Sequence, residues 1–321
     1  MWEHLTKSKI NEFILSLNLI SNNNLTDKEK LKLIYTISNN AEKHYKVFKI
    51  PKSSGSYRTI YEPDYTLKSI QRNILNNVLS DRKTSCFACA YKKGVSLVDN
   101  AKPHLNKKYI LKLDIKDFFP SIDFVNVYKK AFPRYIYPEA VASLLTNLVT
   151  YNNFLPQGAP TSSYISNLIL RSFDIKIGKF CEENNISYTR YCDDMTFSGD
   201  FNISQIITLV KNELLKNNFI LNKKKIKVIE PNKAQIVTGI VCNVKLTVPR
   251  EYKKKIRQEI YYINKFGLDN HLQFQKYNIE ASSYLNKLYG KILFVLQIEK
   301  DNQEFLRYRK TVLSLKEKYI E

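Results

Sequence analysis

The chain has 321 residues, with 51 Lys and Arg against 30 Asp and Glu, a net charge of +21 and a sequence pI near 9.5. Such an excess suits a polyanionic partner without separating nucleic acid from an anionic membrane, and 44% hydrophobic residues exclude a disordered basic tail. The absence of an 18-residue apolar run excludes a bilayer-spanning helix.

Met1 to Lys7 has the polar interruptions of an amphipathic helix and lacks a signal-peptide core. Helical spacing follows at Ile10, Phe13, Ile14 and Leu17, and partly at Leu31, Ile34, Tyr35 and Ile37. Ser53-Ser54-Gly55-Ser56, bracketed by Lys52 and Arg58, has hairpin-turn composition. Cys86-Phe-Ala-Cys89 has the spacing of half a zinc site, but no second pair follows and the four histidines are scattered, so the stretch reads as packing. Five cysteines, an odd set, fit reduced thiols in a cytosol.

Tyr109 to Leu113 forms an apolar strand broken only by Lys112; it ends at Asp114, and Pro120 stops the ladder. Pro156-Gln157-Gly158 makes a turn that opens a helix over roughly 162–182, with Ile165, Leu168, Ile169 and Phe173 at helical spacing. Alternating residues flank Tyr191-Cys192-Asp193-Asp194, and Gly199-Asp200 closes the unit, so this segment reads as strand, tight turn, strand. Toward the C-terminus Ile256, Ile260 and Ile263 form one helical stripe, and Leu285, Leu288, Ile292 and Val295 another.

Adjacent aspartates repel each other, so a half-buried turn gains nothing from Asp193 and Asp194 unless a cation sits there. Such a pair alone is usually a solvated turn; the third carboxylate, Asp114, at the end of its own strand, shifts that balance. Two strands that each deliver a carboxylate suit a pair of Mg²⁺ ions, with Mn²⁺ as a substitute, because hard cations take oxygen ligands. Two such ions about 4 Å apart suit in-line displacement at phosphorus.

In order along the chain, these motifs resemble those of reverse transcriptases. The stretch 113–122 resembles the first palm motif, 155–163 the second, Tyr191-Cys-Asp-Asp194 the third, and Asn222-Lys-Lys-Lys-Ile226 the lysine-bearing fourth; 52–60 resembles the fingers hairpin. Asn100-Ala101-Lys-Pro-His104 resembles the N-A-x-x-H signature of retron reverse transcriptases, and Val237-Thr238-Gly239 their V-T-G signature.

The resemblance implies an α+β right-hand polymerase fold. Residues 1–105 would form an N-terminal helical extension and fingers, 106–243 a palm of antiparallel sheet backed by helices with some fingers elements interleaved, and 244–321 a helical, RNA-binding thumb. Asp114, Asp193 and Asp194 would be the catalytic carboxylates, with the backbone carbonyl of Ile115 helping to hold metal. Lys52, Arg58, Phe119 and Gln157 would form the nucleotide pocket, and Lys224 or Lys225 would protonate the leaving pyrophosphate; the run 223–225 leaves open which, and equally reads as a plain basic run facing nucleic acid. Phe119 is expected to face the sugar and exclude a 2′-hydroxyl, with Phe118 pointing the opposite way on an extended segment. Asp117 reads as a surface or salt-bridged residue. Asn100, His104, Lys253, Lys254, Lys255 and Arg257 would contact RNA, the last four being otherwise a solvated face.

The implied function is a retron RNA-directed DNA polymerase that makes branched multicopy single-stranded DNA from its own noncoding RNA in antiphage defence. Its partners would be that RNA and its cDNA, dNTPs, a separate effector (toxin) protein and a host RNase H, in the bacterial cytoplasm with no membrane. A compact chain leaves no room for a maturase, endonuclease or RNase H domain. The alternatives are a group II intron-like or diversity-generating reverse transcriptase, or a catalytically idle RNA-binding polymerase scaffold. Cys192 departs from the alanine common in retron enzymes, and a larger side chain near the primer end is expected to alter fidelity or nucleotide affinity.

Overall fold

The computed structural model describes residue 2 and residues 5–52, 55–274 and 280–320. Met1, Glu3 and His4 of the expected amphipathic start, and Ser53 and Ser54 of the expected turn, lie outside the described residues. Among the described residues the first helix, α1 (Lys7–Ser16), is capped by Thr6, whose hydroxyl accepts from the Lys9 N–H. In α2 (Asp27–Asn39), Thr26 and Glu29 form a reciprocal capping box.

Then come β1 (Tyr45–Pro51), β2 (Tyr57–Pro63), α3 (Tyr65–Asn73), α4 (Leu97–Ala101), β3 (Tyr109–Asp114), α5 (Phe124–Lys130) and α6 (Glu139–Val149). They are followed by α7 (Ser162–Ile169), α8 (Arg171–Glu183), β4 (Ser187–Tyr191), β5 (Asp194–Gly199), α9 (Ile203–Leu215) and β6 (Lys227–Ile229). The chain continues with β7 (Ile236–Val237), β8 (Ile240–Val241), α10 (Arg250–Phe266), α11 (Leu268–Phe274), α12 (Ala281–Ile298) and α13 (Gln303–Ile320).

The central sheet has the order β4-β5-β3-β6, so the strand ending at Asp114 lies beside the strand beginning at Asp194. β3 and β5 are buried along most of their length, as strands covered on both faces are. β1 and β2 pair antiparallel from Tyr45 opposite Pro63 to Pro51 opposite Tyr57, and β7 pairs antiparallel with β8. The class is therefore mixed helix and sheet, as expected.

Two compact units emerge, one of residues 1–95, 111–197 and 201–227, the other of 96–110, 198–200 and 228–321. The first holds one large core built from Leu111, Leu113, Ile165, Phe173, Met195, Phe197 and their neighbours. The second holds the expected stripes of α10 and α12, with Ile256, Ile260, Leu285, Leu288, Ile292 and Val295 buried together. A smaller apolar cluster in that unit joins Ala101 and Ile110 to Val237, Ile240 and Cys242.

Two local expectations need correction. The helix over 162–182 is two helices, broken at Leu170, whose backbone leaves the helical region (ψ 1°) while its side chain stays fully buried. Apolar periodicity hides the break because both halves remain packed. Residues 116–121 form turns rather than an extended segment. Phe118 and Phe119 therefore do not point to opposite faces: both are buried, with ring centroids 5.3 Å apart. Asp117 is exposed with φ +46°, as a turn residue.

Candidate active site

The hairpin between β4 and β5 has only Cys192 and Asp193 at its tip. Cys192 takes φ +62°, a conformation normally left to glycine, at a cost of about 1–2 kcal/mol. The surroundings hold it there. Arg190 is fully buried; it donates through Nε and Nη2 to the two carboxylate oxygens of Asp174 at 2.8 and 2.7 Å, and through Nη1 to the Cys192 carbonyl at 2.7 Å. The Tyr188 hydroxyl donates to the same Asp174 at 2.9 Å. A bidentate guanidinium–carboxylate pair is geometrically specific, so α8 fixes the turn through Arg190.

Asp114 reaches the same place from β3. The Ile115 N–H donates to the Asp193 carbonyl at 3.2 Å, bringing the two strand ends together. Two side chains hold the Asp114 carboxylate: Asn222 Nδ2 donates at 2.9 Å and Lys225 Nζ at 2.7 Å. The Asn222 N–H also donates to the Asp114 carbonyl at 2.8 Å, so the fourth motif is docked by its backbone as well. Lys225 is the member of its run placed on Asp114, although all three lysines are exposed.

The electrostatics follow from this crowding. Burial and the nearby Asp114 push the Asp193 carboxyl above its ordinary range. Asp194 opens to solvent along one edge, yet enclosure on its other sides, then Asp193 and Asp114, push it up to about 6. The hydrogen bond to Asp114 raises the Lys225 ammonium, keeping it protonated. Burial, then Asp193, pushes the Cys192 thiol up to about 12, so it stays neutral. The exposed Tyr91 ring lies 6.4 Å from Tyr191, beside that thiol.

This donor set fits a hard divalent cation. Asp193 and Asp194, both raised by burial and by neighbouring carboxylates, supply oxygen ligands and an unmet demand for positive charge. Among the described residues no three His, Cys, Asp or Glu side chains are disposed to hold a metal by themselves.

The remaining predicted residues separate into two groups. Lys52 and Arg58 are exposed at the end of the β1–β2 ladder, whose last pair is Pro51 opposite Tyr57. The base of that hairpin is fastened to the second motif: the Tyr61 N–H donates to the Gln157 carbonyl at 2.8 Å. Gly158, at φ +126°, lies so close that a Cβ there would come within 2.8 Å of the Tyr61 carbonyl. Tyr61 also packs on Tyr151 and Phe154, at 4.8 and 5.2 Å between ring centroids. Phe119 is 9% exposed, leaving one edge toward solvent.

The expected RNA contacts look different. Asn100 and His104 are buried in the second unit, where Asn100 Nδ2 donates to Thr238 Oγ1 at 3.2 Å and His104 Nδ1 lies 2.7 Å from Ser198 Oγ. The N-A-x-x-H and V-T-G signatures thus meet as a packing element, and a surface RNA contact by these two side chains does not match their burial. Lys253 is tied to Glu299 at 2.8 Å and Arg257 to Glu304 at 2.7 Å, so only Lys254 and Lys255 of the four stand exposed without a described ion pair. Cys86 and Cys89 hold no metal cluster among the described residues; the segment pairs instead with β4, where the Cys89 N–H donates to the Arg190 carbonyl at 2.8 Å.

Sequence reasoning missed Asn222, Asp174 and the positioning role of Arg190. Asn222 was visible as the first residue of a basic motif. Nothing in the spacing of Asp174 and Arg190 announces that they pair across 16 residues.

The family profile described as "Reverse transcriptase (RNA-dependent DNA polymerase)" matches residues 50–280. The chain is similar to the retron Ec86 reverse transcriptase of Escherichia coli, 33% identical over 79% of this chain and 82% of that one. It is similar to the retron Ec83 reverse transcriptase of the same organism, 35% identical over 77% and 88% respectively. Similarity extends to the retron Mx65 reverse transcriptase of Myxococcus xanthus, 32% identical over 68% of this chain and 56% of that one. Among solved structures, telomerase from Candida albicans aligns at a TM-score of 0.46 and 13% identity, covering 89% of this chain and 68% of that one. With the motifs in order and their carboxylates gathered at one turn, the chain belongs to the reverse transcriptase family, as an RNA-directed DNA polymerase of the retron type.

Proposed function

We propose that this polymerase copies its own folded noncoding RNA into branched multicopy single-stranded DNA. The observation that carries the polymerase chemistry is the meeting of Asp114 and Asp193 at the end of adjacent strands, with Lys225 on Asp114. Asp114, Asp193 and the carbonyl of Ile115 would hold two Mg²⁺ ions, with Asp194 beside them. When bound, these supply Lewis-acid activation of the attacking hydroxyl and charge neutralisation at the leaving group.

The chain's own groups do the rest. Arg190 and Asp174 hold the turn so that Asp193 stays aimed at the site. Lys225, protonated at Nζ beside Asp114, would give that proton to the departing pyrophosphate oxygen. Arg58 and Lys52, exposed at the end of the β1–β2 ladder, reach a triphosphate by a bidentate contact and a point charge. Gln157 couples that hairpin to the nucleotide pocket through its carbonyl. The exposed edge of Phe119 sits under the sugar and selects against a 2′-hydroxyl.

Branching, in which a 2′-hydroxyl of the RNA is the primer, is supported by similarity to retron enzymes. So are work in the bacterial cytoplasm, a role in antiphage defence beside a separate effector protein, and template removal by a host RNase H. Among the described residues no helix is long and apolar enough to cross a membrane. Sequencing nucleic acid copurified with the protein, before and after treatment with a 2′–5′ debranching enzyme, tests the proposal. RNA-linked DNA that becomes linear only after debranching is expected; linear, unbranched cDNA would contradict it.

A further inference from the structure

A gathering of cations that the polymerase chemistry leaves unused lies in the first unit. A cavity of about 350 Å³ is lined by Arg82, Lys83, Lys129, Lys130 and Arg171, with the ring of Tyr135 among them and no acid in its lining. Among the described residues none of these five cations forms an ion pair. The acids near them in sequence are placed elsewhere: Asp174 is committed to Arg190, and Asp81 lines an adjoining cavity. Like charges drawn together this way repel unless an anion joins them.

Defined contacts shape the wall. Arg82 donates to the carbonyls of Ala131 and Lys130 at 2.6 and 3.2 Å, closing the C-terminal end of α5. Lys129 and Lys130 occupy the last turn of that helix, where its carbonyls favour positive charge. Lys130 Nζ reaches Ser172 Oγ at 3.5 Å, joining α5 to the start of α8. The 13-residue α8 begins at Arg171 with no side-chain cap, so its N–H end adds positive potential to the same cavity.

We propose that this cavity holds the phosphodiester backbone of an unpaired polynucleotide, with a base against Tyr135. Guanidinium and ammonium groups suit phosphate oxygens, and an exposed ring beside them suits a base without reading its sequence; Tyr135 is 72% exposed. A polymer fits better than a lone phosphate because the cations continue. Arg82 and Lys83 also line the adjoining cavity, together with Lys92, Lys93 and Tyr91, and the Tyr91 ring lies against Tyr191 of the catalytic hairpin. A strand held in the first cavity is thereby led toward the turn that carries Asp193. The inference rests on the polymerase reading for the identity of that strand, whereas its binding requires no catalysis.

The test uses the full chain with Lys83→Gln, Lys129→Gln and Arg171→Gln combined, all exposed positions. Its control is Lys9→Gln, Lys28→Gln and Lys32→Gln, which removes equal charge from exposed positions of α1 and α2. Fluorescence anisotropy with unstructured RNA and DNA strands of about 20 nucleotides across a salt series gives affinity and its salt slope. The cavity variant is expected to lose about tenfold or more in affinity and to flatten the log–log salt slope by about 2, with a much smaller change in the control. Tyr135→Ala is expected to lose about tenfold on its own. Equal losses for RNA and DNA assign the shared phosphodiester chemistry, and a loss confined to one strand type assigns that strand.

Equal losses in the cavity and control variants would overturn the proposal. So would displacement of the strand by inorganic tripolyphosphate at matched phosphate concentration, since that marks a small-anion pocket. Extension of a short annealed primer–template, measured in parallel, separates the two readings. A wild-type chain that extends nothing counts against the polymerase, and the binding result stands by itself.

Discussion

Two enclosed carboxylate sites in this chain respond to burial in opposite ways. Around Glu299, burial pushes the carboxyl up, but Lys253 at 2.8 Å, the Val248 N–H at 3.0 Å, Asn302 at 2.8 Å and the Thr247 hydroxyl outweigh it and hold the group at about 2. At the β4–β5 turn, burial and neighbouring carboxylates act together, and Asp194 rises to about 6. The first site is saturated with donors supplied by the fold. At the second, Lys225 and Asn222 hold Asp114, while a backbone N–H, Cys192, Lys112 and Lys225 near Asp193 and Asp194 do not offset burial and the neighbouring carboxylates. A carboxylate that serves packing is given its partners; one that serves a reaction is kept short of them.

The buried pair behind the turn gives the largest way to break this contrast. Arg190→Met strands Asp174 without its guanidinium and is expected to cost about 3–5 kcal/mol in urea unfolding. Replacing both residues with apolar side chains should cost less than either single change, because no charge is left buried; simple additivity would show the two are uncoupled. Next, Lys225→Met should lower nucleotide incorporation about a hundredfold, with Lys224→Met close to wild type. Equal losses would remove the special place of Lys225 on Asp114.

Glu299→Gln should cost about 1–3 kcal/mol at neutral pH. Its pH course has a definite sign. The folded group titrates near 2, below its ordinary value of 4.5, so its stabilisation is complete above about 4.5 and fades as pH falls toward 2. The stability gap between wild type and Glu299→Gln should therefore close across that interval, and a gap that widens there would contradict the donor-saturated picture. The smallest effect concerns exposed cations: Lys254→Gln with Lys255→Gln should flatten the salt slope of RNA binding by about 1–2. Lys253 and Arg257 should instead alter stability, since each already holds a glutamate.

What was legible in the sequence followed from short-range regularity. Alternation located β4 and β5, an apolar run located β3, and helical stripes located α10 and α12, because each pattern repeats within one element. The three carboxylates were legible for the same reason, each sitting at the end of such a pattern. The break at Leu170 was not, because no glycine or proline marks it and both halves stay apolar. The turn at Phe118 and Phe119 was hidden by two side chains that are both buried against one core. Asn100 and His104 read as surface contacts until their partners, Thr238 and Ser198, were found far along the chain. Pairing at long range is set by tertiary packing, which no local spacing encodes.

The central claim is that Asp114 and Asp193 form the reaction centre rather than a structural cluster. Single-nucleotide incorporation on an RNA template, with unfolding measured on the same preparations, tests it most directly. Asp193→Asn and Asp114→Asn are each expected to lose about a thousandfold or more in rate, which is about 4 kcal/mol of barrier. Asp193→Asn should leave stability unchanged or slightly raised, because a repelling charge has been removed. Incorporation at the wild-type rate by Asp193→Asn, or a loss that merely tracks unfolding, would contradict the account.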